Sequence, residues 1–265
     1  MKTIARSGTL LLFVFFAGCS TVPITGRKQL SLIPESEMIA MGFAAYDDFL
    51  KENPPSSDRV NGQVVQSVGT SISNAVQLFF GANNMSARLS GYKWEYALVE
   101  NKVPNAFCLP GGKVVIFSGI LPLTADRNGL AVVISHEIAH AVARHGNERM
   151  SQELLVQFGS VALNEALQKK PEETQQMFNL AFGVGSQLGV LAYSREHEYE
   201  ADKLGLVFMA LAGYDPASAI DFWERMSKTG GSRPPEFLST HPTDENRIKK
   251  IKEALPEVMQ YYKKK

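Results

Sequence analysis

Residues 131–150 read AVVISHEIAHAVARHGNERM and hold three of the chain's five histidines, His136, His140 and His145. Successive helical residues turn by about 100°, so His136 and His140 lie about 40° apart on one face, one turn along it. Two imidazoles so placed reach a single ion from one side, as the H-E-x-x-H arrangement requires. Glu137 sits about 60° from His140 on the same wheel, close enough to act on a water at the ion without ligating it. A plain amphipathic helix would keep such residues on a polar face. Here Val132, Val133, Ile134, Ile138 and Ala139 surround them. The stretch therefore reads as a metal site with a carboxylate beside it, and His145 and Arg144 read as structural.

Two histidines do not complete a site, because catalytic zinc takes three protein ligands and keeps one position for water. The stretch REHEYEAD crowds Glu196, Glu198, Glu200 and Asp202 onto one predicted helix. Spacing alone does not choose among them. Glu198 and Asp202 are four apart, so one can ligate while the other accepts a hydrogen bond from a ligating imidazole. A charged helix face would account for Glu196 and Glu200 equally well.

The elements that must position these residues follow from apolar spacing. Met38, Met41, Ala45 and Phe49 form a helical stripe after Pro34, and NPPSSD breaks it. Residues 59–80 carry a second stripe through Val64, Val65, Val68, Ile72, Val76 and Phe79. Residues 92–100 alternate and predict a strand, and NAFCLPGGKVVIFSGIL predicts extended chain, a Pro-Gly-Gly turn and a strand through Val114–Phe117. A helix is expected from Thr124 or Asp126 to Gly146, another over 194–213 with Gly213 as its cap, a further one after Pro216 and a last one from about Thr243. The fold class expected from these elements is α+β, mostly helical, with a small sheet beside the helix that carries H-E-x-x-H.

Lys plus Arg and Asp plus Glu both number 27 in a chain of 265 residues, so no overall basic field points to nucleic acid. Residues 1–18 have a basic start and an apolar run too short for a typical span, the layout of an export signal. Ala17 and Gly18 before Cys19 resemble a bacterial lipobox, which makes Cys19 a lipidation site and Ser20 a mark of outer-membrane sorting. The expected organisation is signal 1–18, a polar tether 19–34, and a metallopeptidase domain over 35–265. Cys108 then remains as a single thiol that cannot form an internal disulfide.

HEIAHAVARHGNERMS, SREHEYEADKLG and LSTHPTDENRI, in that order and spacing, resemble the gluzincin family of the CAAX prenyl endopeptidases and HtpX. The opening PITGRKQLSLIPESE and the stretch PNAFCLPGGKVVIFSGIL resemble its periplasmic lipoprotein members of the LoiP and BepA kind. The resemblance implies one Zn2+ per chain, with Glu198 as third ligand after His136 and His140 and Asp202 holding a ligand imidazole. It implies Glu137 as general base. It gives His241 one of two roles, a donor to the tetrahedral oxyanion or a fourth ligand that shuts the site. Asn105, Ala106 and Phe107 are expected to pair with substrate backbone as an exposed strand. Implied partners are unfolded or misassembled envelope polypeptides, outer-membrane assembly machinery, and a membrane through lipid on Cys19. The rival reading is a chaperone-like assembly factor whose peptidase is switched off.

Overall fold

The computed structural model describes residues 19–158, 171–182, 193–229, 237–238, 241 and 245–263. The expected signal, 1–18, lies outside the described residues, as does the glycine-broken stretch 183–192. Two long helices, α1 (Glu35–Glu52) and α2 (Arg59–Ala82), follow the apolar stripes of the sequence. They bury Met38, Ala45 and Phe49, and Val65, Val68, Ile72, Val76 and Phe80. Asp58 caps α2 by accepting a hydrogen bond from the Asn61 amide at 3.0 Å.

An N-terminal pair of strands, β1 (Cys19–Thr21) and β2 (Lys28–Leu30), precedes these helices, and three strands follow them: β3 (Glu95–Val99), β4 (Ala106–Leu109) and β5 (Lys113–Phe117). Their spatial order is β3-β5-β4, with β5 parallel to β3 and antiparallel to β4. Gly111 and Gly112 turn the chain between β4 and β5, both at φ +87°, a conformation closed to most side chains. The sheet is buried on both faces, and its alternating side chains serve two cores. Leu98, Ala106, Cys108, Val114 and Ile116 join one. Ala97, Val99, Phe107, Leu109, Val115 and Phe117 join the other, beneath α1.

A short helix α3 (Leu121–Thr124) leads to α4 (Arg127–Ala143), capped by Asp126, which accepts from the Gly129 amide at 2.9 Å. Every residue of α4 from Gly129 to Ala143 is buried. It is therefore a core helix, apolar all round except for the motif itself. It packs against α2, β4, α7 (Arg195–Leu211) and α8 (Ser218–Lys228).

The helix expected to run to Gly146 ends instead at Ala143. Arg144 adopts φ 65°, ψ 33°, and His145 opens a new helix, α5 (His145–Phe158). A left-handed non-glycine residue costs roughly 1–2 kcal/mol. Contacts around the break offset it: Arg144 Nε pairs with Glu35 at 2.9 Å, and side chains take up the orphan carbonyls of α4. Tyr92 Oη donates to Ala141 O at 3.0 Å, Arg88 donates to Val142 O and Ala143 O at 3.0 Å each, and Gln29 donates to Ala143 O at 2.7 Å.

The stretch 19–34, expected as a tether, is folded. β1 (Cys19–Thr21) pairs antiparallel with β2 (Lys28–Leu30), with Cys19 opposite Leu30. Val22, Gln29 and Ile33 are buried. The ribbon is tied to α5 where Leu32 N donates to Ser151 Oγ at 2.9 Å and Asn147 Nδ2 donates to Ile33 O at 2.8 Å. Its polar composition misleads because its polar groups find protein partners. The remaining helices are α6 (Pro171–Phe182) and α9 (Glu245–Val258). No described helix is long and apolar enough to cross a membrane.

Candidate metal centre

The two central helices can meet closely because α7 carries Gly205 where it crosses α4. A Cβ there would stand 3.1 Å from the His136 backbone nitrogen. This approach sets Glu198 and Asp202, one turn apart on α7, against His136 and His140 on α4. Ser194 caps α7, its hydroxyl accepting from the His197 amide at 3.2 Å.

Four buried residues converge, His136, His140, Glu198 and His241, each offering one ligand atom within 4.8 Å of the others. His140 Nε2 is 3.0 Å from His136 Nε2, and His136 Nε2 is 3.2 Å from His241 Nδ1. Glu198 Oε1 is 3.1 Å from His241 Nδ1 and 3.3 Å from His140 Nε2. Zinc holds nitrogen and carboxylate ligands at about 2.0–2.1 Å, which places tetrahedral neighbours about 3.3 Å from each other. The donor set fits a four-coordinate zinc ion by chemistry and spacing, and His241 stands at the fourth corner.

Each α4 imidazole is held from behind at Nδ1. His136 Nδ1 lies 3.0 Å from Asp202 Oδ1. His140 Nδ1 lies 2.9 Å from His145 Nδ1, and His145 Nε2 lies 2.9 Å from Glu200 Oε2. Burial pushes the His145 imidazole down to about 4, against the pull of Glu200, so it stays neutral near pH 7. Burial also drives His140 well below its ordinary value. His136 behaves oppositely: burial pushes it down, but its bonds to Asp202 and Glu198 bring it up to about 9.

Arg247, on α9, is fully buried between the carboxylates. Its Nε donates to Asp202 Oδ2 at 2.6 Å, its Nη1 is 2.7 Å from Glu198 Oε2, and its guanidinium lies 3.5 Å over the Trp223 ring. Burial alone would raise Glu198. The charges of His241 and Arg247 and the bonds from His136 and His140 instead hold it well below the carboxylate range. Glu137 is raised by burial, only partly countered by His241 and His136. Its Oε1 is buried without a hydrogen-bond partner among the described residues and lies 3.4 Å from His241 Nε2. That is a carboxylate of raised basicity, with one oxygen free of hydrogen bonds, beside the four donors.

Of the four acidic candidates on α7, geometry separates all. Glu198 faces the donors, Asp202 backs His136, Glu200 backs His145, and Glu196 is exposed. Glu200 is thus no part of a solvated charged face. Asn105, Ala106 and Phe107 are not exposed as expected; all three are buried. Phe107 packs on Phe49 and Phe117 at 5.2 and 6.2 Å between ring centroids. Strand β4, which Ala106 and Phe107 open, is nonetheless one of the two outer strands of its sheet. The Phe237 amide donates to Pro104 O at 3.2 Å, and the His241 amide donates to Phe237 O at 2.8 Å, so the segment bearing His241 is tied to the start of β4. Arg247, within LSTHPTDENRI, and Arg27 carry no local signal of these roles, whereas Glu200, a candidate ligand by sequence, and His145, read as structural, are found supporting a ligand imidazole.

The sequence profile of peptidase family M48 matches residues 73–255. The mitochondrial metalloendopeptidase OMA1 of Schizosaccharomyces pombe is 34% identical over 245 residues, which cover 92% of this chain and 68% of that protein. The human mitochondrial metalloendopeptidase OMA1 is 28% identical over 95% of this chain and 49% of its own length. The beta-barrel assembly-enhancing protease of Escherichia coli is 25% identical over 88% of this chain and 47% of its own. The chain spans about two thirds of the first and about half of the other two. The likeness to envelope members expected from the sequence is thus accompanied by a stronger one to mitochondrial proteins.

Proposed function

The chain belongs to peptidase family M48, and from that premise we propose that it cleaves unfolded or unassembled polypeptides as a quality-control peptidase of a bacterial cell envelope. As an M48 metalloendopeptidase it has a zinc-type centre in His136, His140, Glu198 and His241. Zinc bound there would supply a Lewis acid for the peptide carbonyl and lower the pKa of its water to about 7. Glu137 takes the proton of the attacking water on its unengaged oxygen and passes it to the leaving nitrogen. Burial suits it to this, since a raised carboxylate is a stronger base nearer neutral pH. Asp202 and His145 hold the two ligand imidazoles in the tautomer that leaves Nε2 free for the metal. Strand β4, at the edge of its sheet, offers backbone for an extended substrate to pair with, while Asn105, Ala106 and Phe107 keep that strand rigid through their buried side chains.

The envelope setting rests on the signal layout of residues 1–18 and on the lipobox-like Ala17-Gly18-Cys19; Cys19 is exposed at the start of β1. It gives the domain 35–265 and its docked ribbon a membrane anchor on Cys19. The relatives whose names give a mitochondrial metalloendopeptidase support an organelle as the alternative setting. A second reading, an assembly factor with its peptidase shut, is favoured by one observation: His241 Nδ1 sits at the fourth corner of the donor tetrahedron. We take this imidazole as a ligand that yields to substrate.

The observation that carries the peptidase reading is the free Glu137 oxygen beside four convergent donors, which a purely structural zinc site would not need. Casein cleavage at matched zinc content tests it. Glu137→Gln is expected to lose activity by orders of magnitude while retaining zinc, and His241→Ala to gain basal activity. Undiminished cleavage by Glu137→Gln refutes the mechanism. A fall in His241→Ala would make the imidazole a transition-state donor instead.

A further inference from the structure

The N-terminal ribbon reaches the metal centre through an unbroken chain of hydrogen bonds. Arg27, at the foot of β2, spreads its guanidinium across two acidic residues from different helices. Its Nη1 and Nη2 donate to Glu148 Oε1 and Oε2 at 3.0 and 2.7 Å, and its Nε donates to Glu200 Oε2 at 2.8 Å. Thr25 Oγ1 donates to the other Glu200 oxygen in a very short bond. Glu200 Oε2 also meets His145 Nε2, and His145 Nδ1 meets His140 Nδ1. His197 closes the cluster, its Nε2 3.0 Å from Glu148 Oε2 and its ring stacked on His145 at 4.6 Å.

Only one proton assignment satisfies this chain once His140 offers Nε2 to a metal. His140 then carries its proton on Nδ1 and donates to His145 Nδ1. His145 must in turn carry its proton on Nε2 and donate to Glu200, a carboxylate that can only accept. Glu200 can play that part only if it stays ionised and in place. Arg27 is the cation that does both, as a bridge no lysine could reproduce, because a fork is needed to engage Glu148 and Glu200 at once.

We propose that Arg27 is a positioning residue of the metal centre: by clamping Glu200 it fixes the tautomer of His145 and, through it, the tautomer and orientation of His140. The proposal rests on the zinc reading above in taking His140 as a ligand. The ribbon thereby becomes part of the peptidase rather than a leader to it, although it lies outside the matched family region, 73–255.

The test measures zinc affinity of the full chain by competition with a chromophoric chelator, the absorption spectrum of the cobalt-substituted protein, and the melting temperature without metal. Arg27→Met is expected to bind zinc about 10–100-fold more weakly and to alter the cobalt spectrum. His145→Phe should do the same, and the double variant should be no weaker than His145→Phe alone, because the two act in series. Arg27→Lys keeps the charge and should lose affinity only severalfold; it carries the test if Arg27→Met does not fold. A variant at Arg27 that melts earlier but binds zinc and cobalt as the wild type does would overturn the proposal, leaving a mere staple. Additive losses in the double variant would overturn it too. If His140→Ala bound zinc as tightly as wild type, the metal assignment would fail, which is a separate result.

Discussion

The two imidazoles of α4 are supported in contrasting ways. Behind His136 stands a carboxylate in direct contact, Asp202, itself pinned by a fully buried arginine that also reaches Glu198. Behind His140 stands a neutral imidazole, and the charges come one bond later, at Glu200 and Arg27. The first arrangement pulls its imidazole toward the charged form; the second leaves it neutral. Their locations differ as well, with Arg247 1% exposed and Arg27 26% exposed. Strong pairing in a dry interior fixes one ligand, and a longer, wetter relay adjusts the other. The centre has one rigid arm and one that other parts of the molecule can influence.

The largest blow to this contrast should come from Arg247→Met. It strands Glu198 and Asp202 as buried carboxylates without their cation, and loss of one partner in such a pair costs about 3–5 kcal/mol. Urea denaturation of the metal-free protein measures it, and a loss under 1 kcal/mol would mean the rigid arm does not depend on Arg247. Asp202→Asn should be milder. It leaves an amide that can still accept from His136, and zinc affinity should drop about 10–100-fold with the fold retained. Equal zinc binding in this variant would show the direct carboxylate to be dispensable.

The smallest effect concerns the wetter arm and acid. Burial raises Glu148, but bonds from His197 and Arg27, the two groups that face it, bring it down to about 2 from an ordinary 4.5. A depressed carboxylate stabilises the folded state fully above pH 4.5. As pH falls below 4.5 the unfolded chain gains a proton that the folded one refuses, and the contribution vanishes as pH passes about 2. The melting-temperature gap between wild type and Glu148→Gln should therefore narrow between pH 5 and pH 2.5. A gap that is constant over that window would remove Glu148 from the acid response.

Much of the rigid arm could be read from residue spacing. H-E-x-x-H and the four-residue step from Glu198 to Asp202 are local helical patterns, and local periodicity is what a single sequence displays. Choosing Glu198 over Glu196 and Glu200 was not possible from spacing, because all three lie within one turn and a half of helix. The geometry of α7 against α4 decides it. Arg247 and Arg27 cannot be picked out by spacing because an ion pair between segments 45 or 173 residues apart leaves no local trace. The break at Arg144 was hidden for a similar reason: arginine has no special taste for left-handed backbone, and the partners that stabilise it come from α1, the ribbon and the stretch before β3. Polar composition made 19–34 look like tether, since sequence shows that a group is polar and not whether a partner awaits it.

The spread of the centre along the chain also sets when it can exist. His136 lies 105 residues before His241 and 111 before Arg247. A ribosome adding about 5–20 residues per second needs roughly 6–22 s to cover the longer interval. For the first 105 of those residues the chain holds the H-E-x-x-H helix without its fourth donor, and for all 111 without the cation of its carboxylate ligand. The complete centre, with its buried cation and its restraining imidazole, is thus a late event of biosynthesis rather than one that arrives with the motif that advertises it.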